Sequence, residues 1–190
     1  MSSEFKQQEC VRTYEFTRPH LQQHRTALDI GCDEFMFAGL LTQDFDHVHC
    51  WDFRDKSAQM SRHVSNPEQV TFHHTGLGEQ TAVRYTKPGV GRVKGNVKPE
   101  GRSTLSVPIR TLDSFELPAT IDFVKMDVEG YEPRILQGAE KTIKASWPVV
   151  LCEINRGDFT AQKILESWGY RLVDVYHKQG TPHDYLFVKG

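Results

Sequence analysis

Short apolar runs recur along this chain, and helical patterns fill most of the gaps between them. Ala27–Ile30, Val48–Phe53, Val70–His73, Ile121–Met126 and Val149–Ile154 are such runs. At this length, with turn residues between them, they read as strands buried on both faces. Phe35, Phe37, Ala38, Leu40 and Leu41 mark one helix face, and Asp55 is placed to cap a helix through Met60. Tyr131–Ala145 keeps helical spacing through Ile135, Leu136, Ala139 and Ile143. Asp158 opens a further helix through Trp168, which Gly169 ends. Strand–helix alternation predicts an α/β fold: a parallel sheet, helices on both faces, and ligands at the carboxyl ends of the strands. Tyr170–Val175 and Tyr185–Val188 leave no room for a helix between them, so they should pair as an antiparallel hairpin.

A chain of 190 residues is enough for one well-buried domain. That domain is expected to span 1–190, with a helical N-terminal extension at 1–25. The 23 Lys and Arg residues nearly balance 25 Asp and Glu, unlike the strongly basic balance of a global polyanion binder. No apolar run is long enough for a membrane helix, and no basic start leads into an apolar stretch. A cytoplasmic protein with no membrane partner is the expectation. The four cysteines, Cys10, Cys32, Cys50 and Cys152, form no Cys-x-x-Cys pair. Cys50 and Cys152 lie in strand-like runs and are expected to be buried thiols.

One segment departs from this composition. Residues 84–110 hold seven basic residues against Glu100, a net charge of +6, together with four glycines and two prolines ahead of Pro108. This reads as a loop inserted before the fourth strand, flanked by short strands at Ala82–Tyr85 and Leu105–Ile109. A solvated surface loop, an RNA-binding segment and a lid over an anionic acceptor are its three readings.

The first strand runs into Asp29-Ile30-Gly31-Cys32-Asp33, where a glycine lets the backbone approach a ligand closely. An acid inside the turn opposes a pyrophosphate. Asp52 follows 21 residues after Gly31, in Trp51-Asp52-Phe53, where a carboxylate can accept both hydroxyls of a ribose. A ribose without phosphate, joined to a sulfonium and an amino group, suits these surroundings, and S-adenosylmethionine is that cofactor. The alternative is that Asp29 and Asp52 merely cap helices. Gly76 and Leu77, after His73-His74, would let the chain pass near an adenine ring. Of the two adjacent histidines, one should face the core and the other the cofactor.

The stretch Ile121-Asp122-Phe123-Val124-Lys125-Met126-Asp127-Val128-Glu129-Gly130-Tyr131-Glu132, then Ile135-Leu136-Gln137-Gly138-Ala139, resembles the signature of the FkbM family of S-adenosylmethionine-dependent methyltransferases. Arg110-Thr111-Leu112-Asp113 resembles the family's lead-in, and Pro148-Val149-Val150-Leu151-Cys152-Glu153 its fifth strand. The resemblance implies a class I methyltransferase fold, a seven-stranded, mostly parallel sheet ending in an antiparallel hairpin. It also implies a hydroxyl acceptor on a sugar, glycan or similar small molecule. Where the family's first motif runs Asp-x-Gly-Ala-Asn-x-Gly, this chain has Asp33 at the Asn and Phe35 at the second Gly. A large side chain is therefore expected beside the methionine end of the pocket.

Asp29, Gly31, Asp33, Trp51, Asp52, Gly76 and Leu77 are the expected cofactor residues. Lys125, Asp127 and Glu129 alternate along an extended strand and would share one side as catalytic groups. Asp127 is the first choice for base, with Lys125 holding it ionised and Glu129 starting the next helix; a Lys125–Glu129 ion pair is the purely structural alternative. Asp127, Glu153 and Asn155 offer an oxygen set suited to Mg²⁺. An RNA ribose 2′-hydroxyl target would need a Lys-Asp-Lys-Glu set, and Lys125, Asp127 and Glu153 supply only part of it. A third reading, a binding module on a methyltransferase fold, draws on Phe35.

Overall fold

The computed structural model describes residues 2–87, 105–178 and 183–190. In chain order the elements are α1 (Ser3–Thr17), β1 (Thr26–Ile30), α2 (Met36–Leu41), β2 (His47–Asp52), β3 (Val70–His74), β4 (Gly76–Leu77) and β5 (Ala82–Thr86). There follow β6 (Leu105–Arg110), β7 (Phe123–Met126), α3 (Glu132–Gln137), α4 (Glu140–Ser146), β8 (Val149–Ile154), α5 (Thr160–Trp168), β9 (Tyr170–Tyr176) and β10 (His183–Lys189). The main sheet has the order β3-β2-β1-β7-β8-β10-β9. β10 runs antiparallel to both of its neighbours, which is the terminal hairpin expected from the sequence. The other pairings in this sheet are parallel. The seven-stranded class I methyltransferase architecture is thus present. β4, β6 and β5 form a small second sheet, with β5 and β6 antiparallel on either side of the basic segment. Most of that segment, including Arg92, Lys94, Lys98 and Arg102, lies outside the described residues, and with it the three readings of this loop.

Strand alternation decides what each face carries. Leu28, Ile30, Val124, Met126, Val150 and Cys152 point to the face covered by Ile135, Leu136 and Ile143 of α3 and α4 and Leu165 of α5. Fully burying one such aliphatic side chain contributes about 1.5–3 kcal/mol. Ala27, Phe123 and Leu151 point the other way, onto Tyr14 of α1 and Phe37 and Leu41 of α2. Asp29 and Lys125 occupy this second face and pair directly in register across β1 and β7. The sheet therefore builds one buried acid and one buried base into the wall beneath α1 and α2.

The sequence pattern over Tyr131–Ala145 resolves into two short helices. Gly138 separates them: a Cβ there would lie 2.1 Å from the carbonyl oxygen of Gly78. The Gly138 carbonyl meanwhile accepts the Asp113 N–H at 2.9 Å, so tertiary contacts break the helix. The helix expected after Asp55 is a 3-10 turn, Ser57–Arg62. α5 starts one residue later than expected: Phe159 is its N-cap, while the Asp158 carboxylate accepts the Thr160 N–H at 3.1 Å, and Gly169 ends the helix at φ +104° as expected. All four cysteines are free, and Cys50 and Cys152 are buried. No helix among the described residues is long and apolar enough to cross a membrane.

Candidate functional site

The strand order reverses between β1 and β7, and at this switch point the carboxyl ends of β1, β2, β7 and β8 surround a cavity of about 520 Å³. Ligands of open α/β sheets bind at such a point, in cavities of this size. α1 forms one wall with Phe5, Lys6, Glu9, Cys10 and Thr13. This helix had no functional reading in the sequence.

The turn after β1 is tied to its neighbours through backbone. Gly31 and Cys32 donate to the Trp51 carbonyl at 2.9 and 3.1 Å, and Asp127 donates to the Ile30 carbonyl at 3.0 Å. A Cβ on Gly31 would lie 2.0 Å from the Asp127 carbonyl oxygen, so here glycine serves contact between two loops. Asp33 and Phe35 both adopt positive φ, at 42° and 63°. The backbone thus keeps a left-handed conformation that Asn or Gly would adopt more readily. The Phe35 ring does not flank the pocket. It is fully buried and packs edge-on against Phe72 at 5.2 Å.

Gly31, Asp33, Trp51, Asp52, Gly76 and Leu77 all line the cavity. Asp29 does not; it is fully buried behind the wall. The Trp51 indole Nε1 is buried without a partner among the described residues. Asp52 is saturated: Oδ1 accepts from Arg54 N and Nε at 2.8 and 3.0 Å, and Oδ2 from Arg54 Nη2 and Asp33 N at 2.9 and 3.2 Å. Arg54 also reaches Asp33 at 3.0 Å. His73 stacks on Trp51 at 4.5 Å, while exposed His74 bonds the Phe53 carbonyl, and neither lines the cavity.

The opposite end of the cavity is a cluster of ions. Lys125 Nζ lies 3.3 Å from Asp29 Oδ1 and 3.6 Å from Asp127 Oδ2. Lys178, at the foot of the β9–β10 hairpin, lies 2.9 Å from Glu153, 3.0 Å from Asp184 and 4.0 Å from Asp127. Thr13 of α1 donates to Asp184 at 3.5 Å. Burial opposes ionisation of Asp127, but Lys125 and Lys178 outweigh it and hold the carboxyl below its ordinary range. Burial, then the Asp127 charge, pushes Glu153 up to about 8. Burial also raises Asp29 and Asp184 against the pull of Lys125 and Lys178 respectively. Two carboxyls pushed apart in this way are a recurring arrangement in acid–base sites.

Three expectations change here. Glu129 does not continue the line of Lys125 and Asp127, because β7 ends at Met126 and Glu129 turns left-handed at φ 59°. Glu129 is exposed at the cavity edge, and Lys125 pairs with Asp29 and Asp127 instead. The helix-starting acid is Glu132, buried, with Oε1 accepting the N–H groups of Val128 and Gly130 at 3.0 and 3.3 Å. The Mg²⁺ set does not form either. Asn155 is exposed and outside the cavity wall, and the Lys178 ammonium sits between the carboxylates. Among the described residues no group of three or more His, Cys, Asp or Glu is placed to hold a metal ion. Lys178 is also the second lysine that the sequence reading lacked; 51 residues after Asp127, it carries no local pattern.

The profile of the methyltransferase FkbM domain matches residues 18–172. A search of curated proteins finds no match. Among solved structures, a methyltransferase FkbM from Methylobacillus flagellatus KT superposes with a TM-score of 0.60 at 19% identity. The match covers 87% of this chain and 43% of that one, so the chain spans less than half of that protein. The N-methyltransferase NodS from Bradyrhizobium japonicum WM9 gives 0.59 at 12% identity, over 99% of this chain and 98% of that one. The magnesium protoporphyrin IX methyltransferase ChlM from Synechocystis PCC 6803, solved with S-adenosylmethionine bound, gives 0.58 at 11%, over 97% and 80%. At these identities the structures speak for the fold, and the profile match, over most of the chain, speaks for the family: this chain belongs to the FkbM methyltransferases.

Proposed function

We propose that the chain is an S-adenosylmethionine-dependent O-methyltransferase acting on a hydroxyl of a sugar, glycan or similar small acceptor. The observation that carries this reading is Asp127. Its ionised carboxylate, flanked by Lys125 and Lys178, opens into the same cavity as the carboxylates of Asp33 and Asp52. When bound, S-adenosylmethionine supplies a methyl group on a sulfonium. Asp33, Asp52 and the free Trp51 N–H fit its nucleoside half, and the phosphate-repelling turn fits a cofactor without phosphate. Asp127 orients the acceptor hydroxyl and takes its proton, with Glu153 beside it as the more basic partner. A neutral alcohol needs such help because it is a poor nucleophile.

Methyl incorporation from labelled cofactor into nucleotide sugars, free glycans and RNA tests the acceptor class. The RNA ribose reading has one observation in its favour: Lys178 completes a Lys-Asp-Lys-Glu set. Steeply salt-dependent RNA binding would support it, and its absence favours the small acceptor. With a working acceptor, Asp127→Asn should lower kcat by on the order of 10²-fold with little change in Tm. The Asp127–Glu153 pair holds one proton below about pH 8, so the wild-type rate should climb towards a plateau above that value. Glu153→Gln should abolish this limb. A pH-independent wild-type rate between 6 and 9 would remove the pair from the mechanism.

The ribose must displace Arg54 from Asp52, because the carboxylate has no lone pair to spare. Asp52→Ala is expected to weaken binding of S-adenosylhomocysteine by about 1.5–3 kcal/mol. Arg54→Gln should tighten it. Calorimetric titration of both variants decides, and equal affinities in all three proteins would place the ribose elsewhere.

A further inference from the structure

The β8–β10 pairing sets Glu153 directly opposite Asp184. Like charges at facing positions of an antiparallel pair repel, and these two are 6% and 3% exposed. Lys178 resolves the conflict by donating to Glu153 at 2.9 Å and forming an ion pair with Asp184 at 3.0 Å. An ammonium has three donors, so one remains among the described residues. Asp127 Oδ2 is 4.0 Å away, beyond hydrogen-bond reach. A gap of 4.0 Å between a donor and a carboxylate oxygen admits one oxygen atom at about 2.8 Å from each, the usual spacing of an O–H···O bond.

We infer that the third N–H of Lys178, with Asp127, receives the acceptor hydroxyl. The inference rests on the hydroxyl-acceptor reading above. The acceptor oxygen accepts from Lys178 and donates its proton to Asp127 Oδ2. As the new O–CH₃ bond forms, the S–CH₃ bond breaks, its electron pair stays on sulfur, and the proton ends on the carboxylate. Lys178 stabilises the negative charge that builds on oxygen in between, as a preorganised cation does in a water-poor cleft. The sheet supplies the lysine's two fixed partners, so the ammonium needs no rearrangement when the acceptor arrives.

The test compares wild type with Lys178→Ala in EDTA-washed protein. Calorimetric affinity for S-adenosylhomocysteine should stay within about twofold, since Lys178 stands at the acceptor end. With a hydroxyl acceptor from the panel and EDTA present, kcat should fall on the order of 10²-fold. A loss of S-adenosylhomocysteine affinity as large as the loss of kcat overturns the placement of Lys178 at the acceptor end. Hydroxyl methylation by the variant at the wild-type rate overturns the Lys178 role and leaves the O-methylation reading standing. Transfer by wild type to an amine or thiol but no hydroxyl overturns the reading itself, and with it the hydroxyl contact. If Lys178→Ala does not fold, Lys178→Met, which keeps the aliphatic stem without the ammonium, carries the same measurements.

Discussion

Lys125→Met will cost about 3–5 kcal/mol of stability at neutral pH, the penalty for removing one partner of a buried ion pair. The methionine fills nearly the same volume, so the loss is electrostatic. Asp29 is completely buried and its Oδ2 already lacks a partner among the described residues, so without the ammonium the carboxylate stands unpaired in apolar wall. The sign with pH follows from the raised value of Asp29 in the fold. A carboxyl whose folded value lies above its unfolded one favours folding at low pH, and that contribution disappears as pH rises through the folded value. Removing Lys125 raises it further, so the damage should be largest at neutral pH and shrink on acidification. Urea denaturation at pH 7.5 and pH 5 measures both. Adding Asp29→Asn to Lys125→Met should recover much of the loss. An unchanged midpoint in the single variant would mean that the two side chains are not partners.

Gly31→Ala is the second large effect, expected to cost about 3–5 kcal/mol when backbone strain and overpacking are combined. The new methyl would overlap the Asp127 carbonyl at 2.0 Å, and φ is +85°. Neither loop can easily give way, because hydrogen bonds from Gly31 and Asp127 anchor both to the strand ends. Gly157 provides the control: its φ is +84°, but nothing lies within 4 Å of its missing Cβ. Gly157→Ala should therefore show the conformational cost alone. Equal losses in the two variants would show that the contact with Asp127 carries no energy.

The strands were legible because parallel strands are apolar on both faces, and Val124 or Val150 can be read from its neighbours alone. Asp127 and Lys125 were legible for a similar reason, as charges set into such a run. Glu129 was misread by carrying alternation one step past Met126, where the chain has already turned. Lys178 and Asp184 were hidden because their contacts come from the return of the last hairpin onto β8, a long-range pairing with no local pattern. α1 offered no signal either: it reads only as a helical N-terminal extension, yet Lys6 and Glu9 border the cavity. Phe35 looked like an obstruction because its position in the motif says where its backbone lies and nothing of where its ring goes.

Three carboxyls, Asp127, Glu153 and Asp184, face two ammonium groups, Lys125 and Lys178, at one end of the cavity, and Asp29 is buried behind Lys125. Such a floor sorts ligands by charge. On the proposed reading the incoming cofactor carries a sulfonium and the spent one a neutral thioether. Methyl transfer thus switches off the attraction that drew the cofactor in, and turnover is given a direction by electrostatics. The same asymmetry makes binding a proton-coupled event. A cation arriving beside a carboxyl poised near neutrality favours loss of its proton, whereas the discharged product does not. The two ligands should therefore exchange different numbers of protons with the buffer.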